Sequence, residues 1–407
     1  MMKKVMVCVL VCMLMITTMS IVGAYPKLKI DKHKSNTNAM SKTNDGNETW
    51  MKTFGGWKRD AGASVEKTLD GGYIIIGRTA SYGAGGYDIW LIKTDSQGEK
   101  IWDKTYGGKY SDWSYSGKQT NDRGFIITGT RGYSPNEDSN SGDIWLIKTD
   151  EEGNQIWNKT FDYGIVECGM KVIQTSDDGF LVLATAFNAT SSPDLYTCVY
   201  LIKTDENGDM MWDKKFEGNS ITWGSIVETP DHHYVGVGSS HWDVWVFKTD
   251  TSGELVWDKT YGGSQTDLGS SLIVTNDGKY LVVAHTASFG AGGSDIWLLK
   301  LSDSGEILQN MTIGRKFTDE AGMSIISTND GGYMIAGIKT WKLFWWHRSN
   351  GLLVKLTSDL TVEWTKTVGG FGNHGLLSVQ QTTDNSYVMC GSTTKFLNEN
   401  IWLVKTT

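Results

Sequence analysis

The sequence predicts an all-β fold, a closed seven-bladed β-propeller with four-stranded blades. Three observations predict this fold. A segment close to DIWLIKTD recurs seven times, each recurrence belongs to a unit with four strand-like runs, and the two ends of the repeat region complement each other.

The recurrence is read most easily from one lysine in each copy. DIWLIKTD itself begins at Asp88 and again at Asp143, and five looser copies follow. Successive lysines are 45 to 55 residues apart, which is the period of a propeller blade. The seven lysines are Lys93, Lys148, Lys203, Lys248, Lys300, Lys355 and Lys405.

Each unit contains four runs with strand composition. In the first unit these runs are ASVEKT, YIIIGRT, DIWLIKT and KIWDKTYG. Turn sequences separate them: LDGG after the first, a glycine-rich loop after the second and DSQG after the third. The third run is apolar on both faces, as expected for a strand between neighbouring blades.

The ends of the repeat region predict how the ring closes. The region begins with TWMKTFGG, a fourth strand without its blade, and stops with NIWLVKTT, a third strand without its fourth. We therefore expect the N-terminal strand to complete the last blade, which leaves no free sheet edge at the junction. The predicted propeller spans residues 49–407.

The segment before the propeller has the pattern of an export signal. Lys3 and Lys4 precede an apolar run from Val5 to Val22, and small residues near Ala24 offer a cleavage site. Residues 1–24 are therefore predicted to be a signal peptide, with an uncleaved membrane anchor as the alternative. Residues 25–48 are polar and predict a flexible linker. We expect a secreted or cell-surface protein with no other membrane span.

Charge and cysteine content exclude two classes. The net charge of −8 argues against a nucleic-acid partner, because such proteins usually carry a basic patch. Five cysteines in 407 residues do not make a disulfide scaffold. We expect a monomer.

Two rows of the aligned blades predict structural roles. A threonine ends the first strand of every blade, where its hydroxyl can hydrogen-bond the turn: Thr68, Thr120, Thr175, Thr229, Thr275, Thr328 and Thr382. A tryptophan in the fourth strand is expected to pack between blades: Trp50, Trp102, Trp157, Trp212, Trp257 and Trp364, with Gln309 in the seventh place.

An acidic row stands where the chain enters the innermost strand of each blade. It consists of Asp60, Asp112, Glu167, Asp267 and Glu320, with Ile221 and His374 in the other two blades. A second set, Asp88, Asp143, Asp243 and Asp295, precedes the third strands on the same predicted face. These carboxylates either attract a cation, with Ca²⁺ the first candidate, or cap turns and bind backbone N–H groups.

One stretch departs from the repeat. Blade six has TWKLFWWHRSNG where blades one and five have small glycine-rich loops. This aromatic and basic segment is predicted to be a loop on the acidic face. It has three interpretations: contact with a ligand or partner, a plug in the channel mouth, or a membrane-dipping tip. The candidate ligand-binding residues are Trp341, Phe344, Trp345, Trp346, His347 and Arg348, together with His374 of the acidic row.

The segment LIKTDSQGEKIWDKTYGG, residues 91–108, resembles the repeat of pyrroloquinoline-quinone-type propellers. It is more similar still to repeats of secreted and surface proteins of archaea and bacteria. The resemblance covers residues 49–407 and implies the propeller fold, but little about activity. Quinone-binding members add Ca²⁺ ligands and a vicinal disulfide. No two cysteines are adjacent here, so we do not expect a quinone cofactor.

The sequence lacks the common catalytic motifs. It contains no G-x-S-x-G, H-E-x-x-H or C-x-x-C. We therefore expect a binding module for a glycan, a peptide or a surface protein. One alternative is a hydrolase or lyase at the acidic mouth, where His241, His285 and His374 could join the carboxylates. A structural envelope component is the other.

Overall fold

Runs of β-branched and apolar residues, separated by Asp- and Gly-containing turns, form 29 strands and no helix in the residues that the structure describes. The computed structural model describes residues 39–42, 48–133, 142–164, 166–187, 197–343, 346–395 and 398–407. The strands assemble into seven antiparallel sheets, each with four strands except the last, which has a fifth. The chain is a seven-bladed β-propeller, as predicted.

The strands of blades one to four follow one another along the chain. Blade one contains β3 (Asp60–Lys67), β4 (Tyr73–Thr79), β5 (Asp88–Thr94) and β6 (Lys100–Tyr106). Blade two contains β7 (Ser111–Gln119), β8 (Phe125–Tyr133), β9 (Asp143–Thr149) and β10 (Gln155–Phe161). Blade three contains β11 (Val166–Gln174), β12 (Phe180–Phe187), β13 (Thr197–Thr204) and β14 (Met210–Glu217). Blade four contains β15 (Asn219–Glu228), β16 (Tyr234–Ser240), β17 (Asp243–Thr249) and β18 (Leu255–Tyr261).

The remaining three blades complete the ring. Blade five contains β19 (Asp267–Val274), β20 (Tyr280–Thr286), β21 (Asp295–Leu301) and β22 (Ile307–Ile313). Blade six contains β23 (Thr318–Ser327), β24 (Tyr333–Leu343), β25 (Trp346–Leu356) and β26 (Val362–Val368). Blade seven contains β27 (Asn373–Gln381), β28 (Tyr387–Lys395) and β29 (Asn398–Thr406), with β2 (Glu48–Phe54) and β1 (Ala39–Lys42) at its outer edge.

The first strand of each blade contacts the first strand of the next, and β27 contacts β3, so these strands form a closed inner ring. The third strands lie deep between the blades: every residue of β5, DIWLIKT, is buried. This burial explains why the third strand is apolar on both faces.

The N-terminal strand closes the ring. β2 pairs antiparallel with β29, with Trp50 opposite Lys405 and Phe54 opposite Ile401. β1 then pairs with the outer edge of β2, where the backbone N–H and C=O groups would otherwise lack partners. β1 lies inside the segment that the sequence assigns to the linker. The predicted leader and the rest of the linker, except Glu48, lie outside the described residues.

Aromatic pairs join each blade to the next. Trp50 of blade seven packs on Tyr73 of blade one, with ring centroids 6.2 Å apart, and five other junctions repeat this arrangement. The turn after the third strand approaches the same indole, and a Cβ added to Gly98 would meet the Trp50 ring at 2.5 Å. The tryptophan row therefore packs between blades, as predicted, and requires glycine in the neighbouring turn.

The junction of blades five and six departs from this rule in both partners. Gln309 replaces the tryptophan, and Leu360 replaces the turn glycine although its φ is +69°. Leu360 is 2% exposed and packs in the core between the two blades. The Leu360 side chain thus occupies the space that an indole fills elsewhere, at the cost of a backbone conformation that disfavours leucine.

In each blade, the recurring threonine of the first strand and the recurring lysine of the third strand both bind the same aspartate. Each threonine hydroxyl donates to the carboxylate two residues later, for example Thr382 to Asp384. The lysine of the third strand forms an ion pair with the same carboxylate, for example Lys405 with Asp384 at 2.7 Å. These contacts hold the turn between the first and second strands of each blade, its first turn, against the third strand.

Two further features concern the described residues. Cys168, Cys198 and Cys390 are buried thiols with no disulfide between them. In the part of the chain that the structure describes, no helix has the length and apolar character to span a membrane.

Candidate functional site

The loops that carry the acidic residues lie on one face, which we name the upper face. It is formed by the loops from each fourth strand to the next first strand and by the loops from second to third strands. Two contacts show that these loops adjoin: the Tyr82 hydroxyl donates to the Gly55 carbonyl oxygen at 3.2 Å, and the Lys58 N–H donates to Ser81 Oγ at 3.0 Å. The remaining turns form the lower face.

The carboxylates of Asp60 and Asp267 organise these loops. Both residues are fully buried. Asp60 accepts hydrogen bonds from the Gly56 N–H, the Thr79 hydroxyl, and the N–H and hydroxyl of Ser81. Asp267 accepts the same four kinds of hydrogen bond from Gly263, Thr286 and Ser288. The two carboxylates therefore cap turns in blades one and five.

The other predicted metal ligands lie in separate junctions. Asp112 accepts from the N–H groups of Gly108 and Gly132 at 2.9 and 2.8 Å. Glu320 forms an ion pair of 2.7 Å with Lys339, and both side chains are largely buried. The acidic row is therefore distributed around the ring, one residue to a blade.

Acidic residues of neighbouring blades nevertheless influence each other. Burial raises the pKa of Asp88, and the charge of Asp112 adds to this effect, although the Ala84 N–H opposes it. Burial likewise raises the pKa of Asp243, again with a contribution from the next blade, the charge of Asp267. The second acidic set thus stands beside the first at these junctions.

Three carboxylates meet at the junction of blades two and three. One oxygen from each of Asp143, Asp162 and Glu167 lies within 4.8 Å of the other two. Burial raises the pKa of Asp143, and the charge of Asp162 adds to the increase while Arg131 opposes it. Asp162 stands where blade one has Gly107 after its fourth strand. Glu167 belongs to the predicted acidic row, whereas Asp162 was not among the predicted ligands. The departure of Asp162 from the repeat was the available signal. The prediction of Ca²⁺ stays a prediction.

The distinctive stretch of blade six is an extended hairpin, where the sequence predicted a loop. β24 and β25 are each 11 residues long and continue their pairing to Leu343 and Trp346. Trp341 lies opposite Arg348, whose guanidinium donates to the Gly370 carbonyl oxygen in the next upper-face loop. Phe344 and Trp345 lie outside the described residues, and Trp346 and His347 are described only by their backbone pairing.

His374 lies beneath the surface of this face. It is 4% exposed, its Nδ1 is 2.8 Å from the Thr393 hydroxyl, and its ring lies 5.1 Å from that of Trp402. A ligand on the upper face would reach Arg348 before His374. His285, another candidate, is neutral at pH 7 because burial lowers its pKa to about 4, although the charge of Asp267 opposes this shift.

The exposed aromatic side chains of the described residues share the upper face. Trp57, Phe317 and Phe371 lie in loops that enter first strands and are 76%, 79% and 72% exposed. Tyr82 and Phe289 lie in loops between second and third strands and are 47% and 43% exposed. Among the described residues, the turns of the lower face have one large exposed apolar side chain, Leu69. The other such side chains lie on the outer fourth strands.

The fold and this face define the class: a β-propeller with an aromatic upper face. No protein-family model matches the chain, and no curated protein matches its sequence. Solved structures share the fold. A puromycin hydrolase variant complexed with PGG is 11% identical at a TM-score of 0.52, over 81% of this chain and 50% of that chain. This chain thus spans half the length of the hydrolase.

Two bacterial proteins are also similar in structure. A protein of unknown function from Bacteroides caccae is 12% identical at a TM-score of 0.45, over 78% of this chain and 98% of that chain. A quinoprotein alcohol dehydrogenase-like protein from Bacteroides thetaiotaomicron is 11% identical at a TM-score of 0.45, over 76% and 66%. At these identities the similarity concerns the fold alone. The resemblance to pyrroloquinoline-quinone-type propellers holds at that level, because the structure has the ring of four-stranded blades that it implies.

Proposed function

We propose that the chain is an extracellular or cell-surface binding module that holds a glycan, a peptide or a surface protein on its upper face. The observation that carries this proposal is the segregation of exposed aromatic side chains. Trp57, Tyr82, Phe289, Phe317 and Phe371 all lie on that face, and exposed aromatic side chains are typical anchors of binding sites.

The architecture of the loops supports the same function. Buried carboxylates hold the backbone of the loops in place, so exposed side chains are presented from rigid supports. Rigid presentation reduces the conformational entropy that binding would otherwise cost. The extracytoplasmic location rests on the predicted leader, and the proposed function requires neither Ca²⁺ nor a quinone.

A hydrolase or lyase at the acidic mouth is the alternative from the sequence. Such an enzyme needs a carboxylate or imidazole that exchanges a proton with its substrate. Asp60 and Asp267 are fully buried and accept four hydrogen bonds each. This favours binding over catalysis. A structural envelope component would need no ligand on either face.

Glycan and peptide arrays probed with the fluorescently labelled full-length protein test the proposal. We expect specific signals that fall at least about tenfold in Phe317→Ser and Phe371→Ser variants. Leu69→Ser, on the lower face, is the matched control and should leave the signals unchanged. Signals that respond to Leu69→Ser and not to the upper-face variants would reject the proposal, as would the absence of any signal.

A further inference from the structure

We propose that a groove over blade one binds an acidic saccharide, with the sugar ring against Trp57 and the acid group at Lys58 and Arg59. This inference rests on the proposed function and names its ligand class. The groove has a volume of about 470 Å³, within the usual range of small-ligand sites. Its lining includes Trp57, Lys58, Arg59, Tyr87, Ser111 and Asn398.

Three blades contribute to the groove. Residues 57–59 belong to the loop from blade seven to blade one, and residues 80–87 to the loop between β4 and β5. Ser111 begins blade two, and Asn398 begins β29. The closed ring brings these distant residues together. No short sequence motif could therefore have predicted the site.

Three cationic side chains lie in or next to the groove. Lys58 and Arg59 line it, and the Arg78 guanidinium lies 5.6 Å from the Tyr87 ring and 5.9 Å from the Trp113 ring. Asp60 and Asp88 lie below the loops of the groove, but both are buried and accept hydrogen bonds from those loops. The third carboxyl group nearby is that of Glu399. Burial raises its pKa, and the charges of Arg78 and Arg59 oppose the shift. In a chain of net charge −8, this groove is a place where an anion is attracted.

The other lining groups suit a sugar. The indole of Trp57 is 76% exposed, and an exposed aromatic ring offers a flat apolar surface with a polar edge. Ser111 and Asn398 supply a hydroxyl and an amide, and Gly85 and Gly86 bring the backbone close to the groove. Guanidinium groups bind carboxylates with two parallel hydrogen bonds. A pyranose that carries a carboxylate matches this combination.

Blade five provides an internal control. Its loop has the same supporting network, with Gly263, Asp267, Thr286 and Ser288 in the places of Gly56, Asp60, Thr79 and Ser81. The Lys58 N–H donates to Ser81, and the Gln265 N–H donates to Ser288 in the same way. Blade five, however, has Ser264, Gln265 and Thr266 where blade one has Trp57, Lys58 and Arg59. The backbone therefore accepts either set, and of these two blades it is blade one that carries the aromatic and basic side chains.

The test is calorimetric titration of the full-length protein with trigalacturonate, with maltotriose as the neutral saccharide and hexaglutamate as the acidic peptide. All titrations contain EDTA, so that no divalent cation bridges the ligand. We expect trigalacturonate to bind, and its affinity to fall as ionic strength rises. The triple variant Trp57→Ser, Lys58→Gln, Arg59→Thr gives blade one the loop of blade five. It should lower the affinity at least about tenfold and lower the melting temperature by no more than a few degrees, because Arg59 also interacts with Tyr87 and Glu399.

The matched control is Ser264→Ala with Gln265→Ala in blade five, which should leave the affinity within about twofold. The inference is overturned if maltotriose or hexaglutamate binds as tightly as trigalacturonate, if trigalacturonate does not bind, or if the triple variant retains the affinity. Array signals that survive in the triple variant but disappear in Phe317→Ser and Phe371→Ser would reject this groove and leave the proposed function intact.

Discussion

The Ser81 hydroxyl donates a hydrogen bond of 2.7 Å to Oδ2 of Asp60. This contact joins the loop between β4 and β5 to the residue that begins β3, and Ser288 and Asp267 repeat it in blade five at 2.7 Å. At least two members of the acidic row, Asp60 and Asp267, therefore have a structural role: they hold the loops of the upper face in place. Side chains that face solvent from these loops are positioned by the buried carboxylates below them.

Asp60→Ala should destabilise the fold by about 1–3 kcal/mol, because the buried donor of Thr79 and the half-buried donors of Gly56 and Ser81 lose their acceptor. Urea denaturation followed by tryptophan fluorescence measures the loss. Asp267→Ala is the matched variant and should cost a similar amount. If both variants were as stable as the wild type, the carboxylates would not be structural.

The ring and its closure could be predicted from the sequence because each blade repeats the same local pattern. The exceptions to the repeat were harder to interpret. Asp162 lies beside Asp143 because β10 pairs antiparallel with β9 and Phe161 stands opposite Ile144, but this aspartate occupies a position that is glycine in blade one. In blade six the pairing of β24 and β25 continues into the aromatic stretch. A short run of aromatic residues does not show the alternation that would predict such an extension. The sequence places Leu360 in a turn, where exposure would be expected. It is buried because blade five has Gln309 in place of the tryptophan that fills this space at other junctions.

Gln309 and Leu360 should behave as a coupled pair. Leu360→Gly alone leaves a cavity and should cost about 1–3 kcal/mol, and Gln309→Trp alone forces an indole against Leu360 at a similar cost. The double variant restores the pair found at other junctions, so its loss should be smaller than the sum by at least about 1 kcal/mol.

A double-mutant cycle on the free energies of unfolding measures this coupling. Trp257→Phe, at the preceding junction, serves as a control that should add independently to either change. Strict additivity of Gln309→Trp and Leu360→Gly would contradict the packing account.

The free energy of unfolding should decrease at acid pH, because aspartates in the turns between first and second strands become protonated. Hydrogen bonds from Thr275 and Lys300 lower the pKa of Asp277 to about 2, and those from Thr328 and Lys355 do the same for Asp330. Burial would raise the pKa of Asp384, but Lys405 and Thr382 lower it to about 2. Since the unfolded value is about 3.9, the stability that these groups contribute is present above about pH 4 and is lost as the pH falls toward 2.

Urea denaturation at pH 7, 4 and 3 tests this dependence. The wild type should lose stability between pH 4 and pH 3, and Asp384→Asn should show a smaller loss over the same interval, because it lacks one of the titrating groups. An equal loss in both proteins would show that Asp384 does not contribute.

The strand β2 should be required for a stable propeller, whereas the segment before it, which includes β1, should not. Removal of residues 1–47 keeps β2 and should leave the melting temperature of the propeller within a few degrees. Removal of residues 1–54 also deletes Trp50, which is 1% exposed, and burial of its indole alone accounts for about 3–5 kcal/mol. Circular dichroism melts of the two truncated proteins should therefore differ strongly. Equal stability would contradict closure by β2.

The central claim is that the upper face binds the ligand, and amide hydrogen exchange with and without bound ligand tests it most directly. The ligand is the strongest signal from the arrays, added to the full-length protein at saturation. The account predicts slower exchange in residues 55–60, 80–87, 314–317 and 369–373, and unchanged exchange in the lower-face turns at residues 69–72 and 95–98. Protection confined to the lower-face turns, or to the outer fourth strands, would contradict it.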